Sequence, residues 1–260
     1  MTQAAPQRPT VSVVIPVKDD EDELRRFLRA LALQTRVPDE IVVVDNGSTD
    51  DSARVAAEGR ARVVRCDAPG IPAASARGYD AATGDLILRL DADCLPARTW
   101  VASVEQAFSD RPHVAAFTGG ARFTDGPRRL RRPLAAVYLA SYTASTAPAL
   151  GHLPLFGSNL AFRREAWRSI RSGVHRADPG LHDDLDLAYH LGEEHAIGYL
   201  RDSPMGISMR PFTSARAFRR RVGRGFRTVV RHWPHDFPPV RWARLGLRRA
   251  ARRRHVRPGR

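Results

Sequence analysis

Ile41-Val-Val-Val-Asp45-Asn-Gly-Ser-Thr-Asp50 sets a run of branched apolar residues against an abrupt run of acids and turn formers. An apolar run with no alternation reads as a strand covered on both faces, here ending at Asp45. Ser48 and Asp51 have capping-box spacing, which predicts a helix through Ala57. The same unit recurs on either side. Val11-Ser-Val-Val-Ile15 is a strand closed by Pro16, and Leu24, Phe27, Leu28 and Leu31 follow at helical spacing within residues 23–33. Arg62 to Cys66 reads as a third strand, Ala73 to Ala82 as a short helix rich in small residues, and Leu86 to Leu90 as a fourth strand. Strand and helix alternate four times within about 80 residues, which predicts an α/β fold with a parallel sheet between helices.

In such sheets ligands bind beyond the carboxyl ends of the strands. The exits here are Pro16 to Asp19, Asp45 to Ser48, Asp67 to Gly70 and Asp91 to Cys94, with an acid at every one. Neither a GxGxxG fingerprint after a strand nor a GxxxxGK[ST] loop occurs, so the dinucleotide and P-loop classes are poor readings. Asp91 and Asp93, two apart on a segment expected to be extended, face one side. Two carboxylates there repel each other and any phosphate, unless a hard cation such as Mg²⁺ or Mn²⁺ bridges carboxylate and phosphate oxygens. Taken alone, the pair is a weak signal and is more often a polar turn or loop end.

Val13 to Glu21, Ile41 to Asp50, Gly70 through Arg77 and Gly78, and Leu90 to Asp93 occur in order. Together they resemble the N-terminal half of the family 2 glycosyltransferases. The resemblance implies a GT-A fold, Rossmann-like with a mostly parallel sheet, that transfers a sugar with inversion from a nucleotide-sugar donor, UDP-sugars favoured. It places a nucleotide-sugar half at 10–95 and an acceptor half at 96–212. Asp45 would contact the base, with Pro16, Val17 and Glu21 in the same pocket. Asp91 would stand near the ribose and metal, Asp93 would be the direct ligand of Mn²⁺ or Mg²⁺, and Arg77 would lie by the diphosphate. The family's usual Tyr-Asn after Pro-Val is replaced by Lys18-Asp19. Gly157 and Asn159 match the sugar and acceptor pocket, and Asp183-Asp184-Leu185-Asp186-Leu187 is similar to the Glu-Asp-x-Asp-Leu motif, which makes Asp184 the general base beside Asp183. The Gln-x-x-Arg-Trp motif of processive relatives is absent, implying single addition. His232 or His235 is a candidate further metal ligand.

The chain has 260 residues and a formal charge of +14. From Ala215 to Arg260 there are 16 arginines against the single acid Asp236, which leaves the preceding residues near neutral. Residues 213–260 are therefore expected to form a basic helix and tail, and the proline-containing stretch 1–9 to be disordered. Arginines suit an anionic partner such as a membrane surface. Nucleic acid is not expected, because the sparse tail aromatics make no repeated stacking pattern. A catalytically silent fold that binds anionic membrane or nucleic acid through this tail is the competing class. A phosphohydrolase built on Asp-x-Asp is disfavoured, since the pair follows the fourth strand. Pro133 to Phe162 carries no formal charge but is broken by prolines and hydroxyls, predicting a buried helix plus loop. Cys66 and Cys94 cannot build a disulfide framework, which points to a reducing, cytoplasmic setting. Arg128, Arg129, Arg131, Arg132 and the terminal arginines would dock the protein on the inner membrane face. The acceptor would be a carbohydrate, a lipid-linked sugar or a small molecule.

Overall fold

The computed structural model describes residues 8–210 and 214–255. Residues 1–7, 211–213 and 256–260 lie outside that description, and with them most of the stretch expected to be disordered and the end of the basic tail. Strands β1 (Val11–Val17), β2 (Glu40–Asp45), β3 (Arg62–Arg65) and β4 (Leu86–Arg89) pair in parallel in the order β3-β2-β1-β4. Three more strands, β5 (Val114–Phe123), β6 (Leu160–Arg163) and β7 (Ala196–Ile207), complete a seven-stranded sheet in the order β3-β2-β1-β4-β6-β5-β7. Only β6 runs antiparallel to its neighbours β4 and β5. The sheet is thus mostly parallel, as its sequence predicts.

Side-chain alternation divides the core into two layers. Val13, Ile15, Val43 and Leu88 pack with Leu24, Phe27 and Leu31 of α1 (Glu21–Ala32) and with Trp100 and Val104 of α4 (Trp100–Asp110). On the other face Val14, Val42, Val44 and Ile87 meet α3 (Ile71–Ala81), α6 (Arg164–Ile170) and α7 (Asp183–Glu194). Each such side chain contributes about 1.5–3 kcal/mol by leaving water. Gly78 lets α3 lie this close: a Cβ there would meet Val44 Cγ2 at 2.8 Å and run into Val14.

Three local expectations are corrected. Helix α2 (Ser52–Glu58) has no capping box from Ser48. The Ser48 hydroxyl accepts from the Asp19 N–H at 3.2 Å, and the Asp51 N–H donates to Glu21 Oε2 at 3.0 Å. The start of α2 is thus held by Glu21, the first residue of α1, and by Asp50, whose Oδ1 accepts from the Ser52 N–H at 3.0 Å. The uncharged stretch forms α5 (Arg131–Leu150), which is not buried: Ala135, Thr146, Ala149 and Leu150 are its buried residues, and Val137 is 63% exposed. Its serines and threonines are spread around the helix, so it has no face apolar enough to be covered entirely. Among the described residues no helix is long and apolar enough to cross a membrane. The Asp-Ala-Asp segment is a turn, described below.

The basic region folds back as α8 (Ala215–Arg231) and α9 (Pro238–His255). Arg241 is fully buried and donates to the carbonyls of Leu150 and Tyr189, both at 2.7 Å, while pairing with Asp236 at 2.9 Å. Arg244 bridges Asp236 and Glu193, and Arg248 also reaches Glu193. Several tail arginines therefore fasten the helices to the body. At the other end Arg8 pairs with Glu105, which Arg36 also engages at 3.1 Å.

Candidate active site

The carboxyl ends of β1, β2 and β4 share one edge of the sheet. Because β6 enters antiparallel, with Leu160 opposite Arg89, the turn before it (Gly157–Asn159) is delivered to that same edge. The first turn of α7 arrives there too. Two acidic segments about 90 residues apart in sequence are thereby brought together.

Arg89 stands between them. Its guanidinium, 3% exposed, lies 3.0 Å from Asp91 Oδ1 and 3.0 Å from Asp183 Oδ2. Burial opposes its charge, yet Asp183 and Asp91 outweigh burial and hold it firmly protonated. Burial likewise opposes ionisation of Asp91, but Arg89 and the Ser158 hydroxyl, donating to Oδ2 at 2.6 Å, keep its carboxyl below the usual range. Asp183 goes the other way: burial, then the charges of Asp184 and Asp91, push it up despite Arg89 and a hydrogen bond from Ser75 Oγ at 2.8 Å. Asp184 accepts from the Gly157 N–H at 2.9 Å and from the Leu185 N–H at 2.8 Å, so its position is fixed by backbone. A Cβ on Gly157 would fall onto the Arg89 guanidinium, so any larger residue there would push that side chain off its two carboxylates.

Asp91 and Asp93 sit in a turn closed by the Cys94 N–H donating to the Asp91 carbonyl at 3.1 Å. The turn replaces the extended segment expected from sequence and still gathers the pair, since one ligand atom from each of Asp91, Asp93 and Cys94 lies within 4.8 Å of the others. Burial and the charge of Asp91 push Asp93 up to about 6, in spite of Arg210 at 3.2 Å. A donor set that crowds two carboxylates until one resists ionisation fits a divalent cation. Cys94 is buried, and burial holds its thiol well above the ordinary value, so it packs as a neutral side chain.

A cleft of about 870 Å³ opens over Arg89 and Asp91 between α5, α7 and α8. Arg221 of α8 reaches across it to donate to Tyr138 Oη of α5 at 2.7 Å. Burial opposes the Arg221 charge, while Tyr138, Asp91 and Asp184 raise its pKa. Phe218, Val222 and Phe226 of α8, all exposed, line the mouth at successive helical turns.

The profile of the family described as Glycosyl transferase family 2 matches residues 12–171. The chain belongs to glycosyl transferase family 2. Its structure is similar to a mannosyltransferase from Pyrobaculum calidifontis solved in complex with GDP-Man and Mn²⁺ (TM-score 0.63, 21% identity, 97% of this chain and 77% of that one). It is also similar to glucosyl-3-phosphoglycerate synthase from Mycobacterium tuberculosis in complex with Mn²⁺, UDP and phosphoglyceric acid (TM-score 0.61, 23% identity, 86% of this chain and 78% of that one). These likenesses establish the GT-A fold. The curated glucosyl-3-phosphoglycerate synthase of Mycolicibacterium paratuberculosis is 31% identical over 196 residues, covering 65% of this chain and 57% of that protein. The chain spans less than two thirds of the length of the curated relatives it matches.

Of the residues singled out in the sequence, Asp91, Asp93, Gly157, Asp183 and Asp184 come together around Arg89 and Ser158. Pro16 and Val17 end β1 beside Val44 and Asp45, at the same sheet edge. The Asp45 carboxylate accepts from the Ser48 N–H at 2.9 Å, and Glu21 is engaged at the start of α2. Arg77 is exposed on α3. Asn159 does not face the cleft: it is fully buried, donating to the carbonyls of Gly120 and Ser203 and accepting from Trp100 Nε1. His232 is packed against Asp186 rather than the Asp91–Asp93 pair, and His235 lies against Arg244. Sequence reading missed Arg89, Ser158, Arg210 and Arg221. Only Arg89 carried a signal, as a cation at the end of the otherwise apolar Leu86-Ile-Leu-Arg89, which a buried strand tolerates only beside acids.

Proposed function

We propose that this protein transfers a sugar from a nucleoside-diphosphate donor, UDP-sugars favoured, to an acceptor hydroxyl, once per encounter and with inversion. The observation that supports this is the meeting of the Asp91–Asp93 turn with the first turn of α7 at one cleft, where buried Arg89 ties Asp91 to Asp183 and the Gly157 N–H holds Asp184. The division of labour follows the chain, with residues 10–95 holding the nucleotide and residues 96–212 presenting the acceptor side. Asp93 and Asp91 would hold Mn²⁺ or Mg²⁺, which when bound supplies positive charge to the departing diphosphate.

Asp184 takes the proton of the acceptor hydroxyl as that oxygen attacks the anomeric carbon. The sugar–phosphate bond breaks as the new glycosidic bond forms, and the electron pair leaves with the diphosphate. Arg221, poised over the cleft, and Arg77, exposed on α3, would add charge to the same leaving group. Asp183, already committed to Arg89 and Ser75, is not free to act as a nucleophile, and a single base suits inversion. Pro16, Val17, Glu21 and Asp45 form the base-binding side. The apolar cleft mouth, with Phe218, Val222 and Phe226 beside arginines of α8, suits an acceptor with an apolar body, such as a lipid-linked sugar at an anionic membrane surface. The silent reading has no observation in its favour, since every acid it would need to lose is present.

Thermal shift with UDP, GDP, dTDP and CDP, each with and without Mn²⁺, tests the donor site. One diphosphate should stabilise the protein only with metal, and Asp93→Ala should abolish that shift. Asp184→Asn should keep the shift and lose donor turnover by about 10²–10⁴-fold, the span of general-base catalysis. Absence of any metal-dependent shift would overturn the assignment of the Asp91–Asp93 turn. Retained turnover in Asp184→Asn would overturn that of the base.

A further inference from the structure

Outside the cleft, four side chains from separate segments converge at the back of α7. Asp186 and His190 lie one turn apart on that helix, His175 comes from the loop before it, and His232 comes from the end of α8. One ligand atom from each lies within 4.8 Å of all the others. Asp186 Oδ1 is the centre: His175 Nδ1 stands at 2.7 Å, His232 Nε2 at 3.0 Å and His190 Nε2 at 3.8 Å. The three rings fan around this point, with centroids 5.1, 5.3 and 5.8 Å apart. Asp186 and His232 are buried.

Hydrogen bonds account for only part of this arrangement. His175 Nδ1 and His232 Nε2 lie within hydrogen-bond distance of Asp186 Oδ1, and Oδ2 accepts from the His175 backbone N–H at 2.9 Å, whereas His190 Nε2 at 3.8 Å is too far to join them. His190 Nε2 is buried and has no hydrogen-bond partner, a state that native interiors rarely tolerate. His232 Nδ1 faces Asp236 Oδ2 at 3.3 Å, and Asp236 is itself held by Arg241 and Arg244. With its Nδ1 proton directed at Asp236, neutral His232 presents its Nε2 lone pair toward Asp186, as a metal ligand does, whereas the protonated ring donates from both nitrogens. Either a proton or a metal ion lies between Nε2 and the carboxylate 3.0 Å away, and the partnerless His190 Nε2 beside them favours the metal. A carboxylate behind a histidine is also the arrangement that orients metal-bound imidazoles. Tyr189 stacks on the His232 ring at 3.9 Å between centroids, fixing its plane.

We infer that His175, Asp186, His190 and His232 form a closed, four-ligand zinc site that clamps the C-terminal helices to α7. Three imidazole nitrogens and one carboxylate oxygen suit Zn²⁺, whereas the all-carboxylate turn at Asp91–Asp93 suits harder Mn²⁺ or Mg²⁺. With four protein ligands no position remains for a reacting water, so the ion is structural. It would brace the helix whose first turn carries Asp183 and Asp184, and join it to α8, which forms one wall of the cleft. The inference does not rest on the transferase reading, because none of its ligands touches the cleft acids.

The test uses untagged protein carrying Asp93→Ala, so that the carboxylate turn holds no metal. After growth with added zinc and gel filtration, elemental analysis should find one zinc per chain. Replacing it with Co²⁺ should give the intense visible absorption of a tetrahedral centre. His190→Gln on the same background should lower zinc content or affinity at least about tenfold, since loss of even a partner behind a ligand costs about 10–100-fold. A chelator should lower the melting temperature of the Asp93→Ala protein and leave the His190→Gln protein unmoved. Zinc far below one per chain, together with no tetrahedral Co²⁺ spectrum, would overturn the inference and leave a hydrogen-bonded clamp. Should His190→Gln not fold, the zinc count and cobalt spectrum of the parent still decide the matter.

Discussion

Replacing Arg89 with methionine removes a cation that two carboxylates share. Both contacts are 3.0 Å, the guanidinium is 3% exposed and Asp183 is 12% exposed, so solvent cannot substitute for the lost charge at Asp183, whereas Asp91, 35% exposed, is partly compensated by water. Removing one partner of a buried ion pair costs about 3–5 kcal/mol, because an uncompensated charge stays behind. Arg89 Nε has no partner of its own, and removing it returns part of that cost. The lower end, about 3 kcal/mol, is therefore expected, which is about 6–12 °C in melting temperature for a chain of this size. The decisive measurement is a cycle of Arg89→Met, Asp183→Asn and the double variant, each followed by urea denaturation. Asp183→Asn in the Arg89→Met background should recover about 1–3 kcal/mol, the coupling of groups in direct contact. Circular dichroism should show an unchanged fold throughout. A loss below about 1 kcal/mol for Arg89→Met with no coupling would refute the claim that this arginine joins the two acidic segments.

Glu105 offers a pH test far from the cleft. Arg8 by hydrogen bond, against burial and with help from Arg36, holds its carboxyl below the ordinary value. A depressed carboxyl contributes stability that is present above the unfolded pKa and lost as pH falls through the folded one. Glu105→Gln should therefore cost about 1.5–3 kcal/mol at pH 7, and the gap to wild type should close as pH falls below about 4. Urea midpoints at a series of pH values check this, and a constant gap would contradict it. For the acceptor surface, flotation with vesicles containing anionic lipid should carry the protein, and vesicles of neutral lipid should not. Phe218→Ser with Phe226→Ser should weaken flotation, and binding to neither vesicle would remove the membrane-facing reading.

The four parallel strands were legible because their determinants are local: an apolar run, then a residue that cannot continue it. Each expected boundary lies within two residues of the observed strand. Asp91, Asp93, Gly157, Asp183 and Asp184 were legible for the same reason, since each belongs to a short run with its own spacing. Asn159 belonged to such a run and still went elsewhere, because the direction of a side chain in a tight turn is set by what packs around it. Ser48 does not cap α2, because its hydroxyl is taken by the Asp19 N–H, and the helix start is held by Asp50 and by Glu21 from the start of α1, a residue that no local window contains.

By itself the sequence determined the alternation of elements, the acids at the strand exits and the basic end of the chain. The tertiary structure alone decided that β6 enters antiparallel and delivers Gly157 to Arg89. It alone turned arginines of the basic region inward, and gathered His175, Asp186, His190 and His232 from residues as far apart as 57 positions. The physical reason is the range of the forces concerned. Hydrophobic period and turn chemistry act over a few residues and leave their mark on the chain. The pairing of buried charges depends on which loops meet in space, and a sequence pattern carries no record of that until the sheet and its helices have closed.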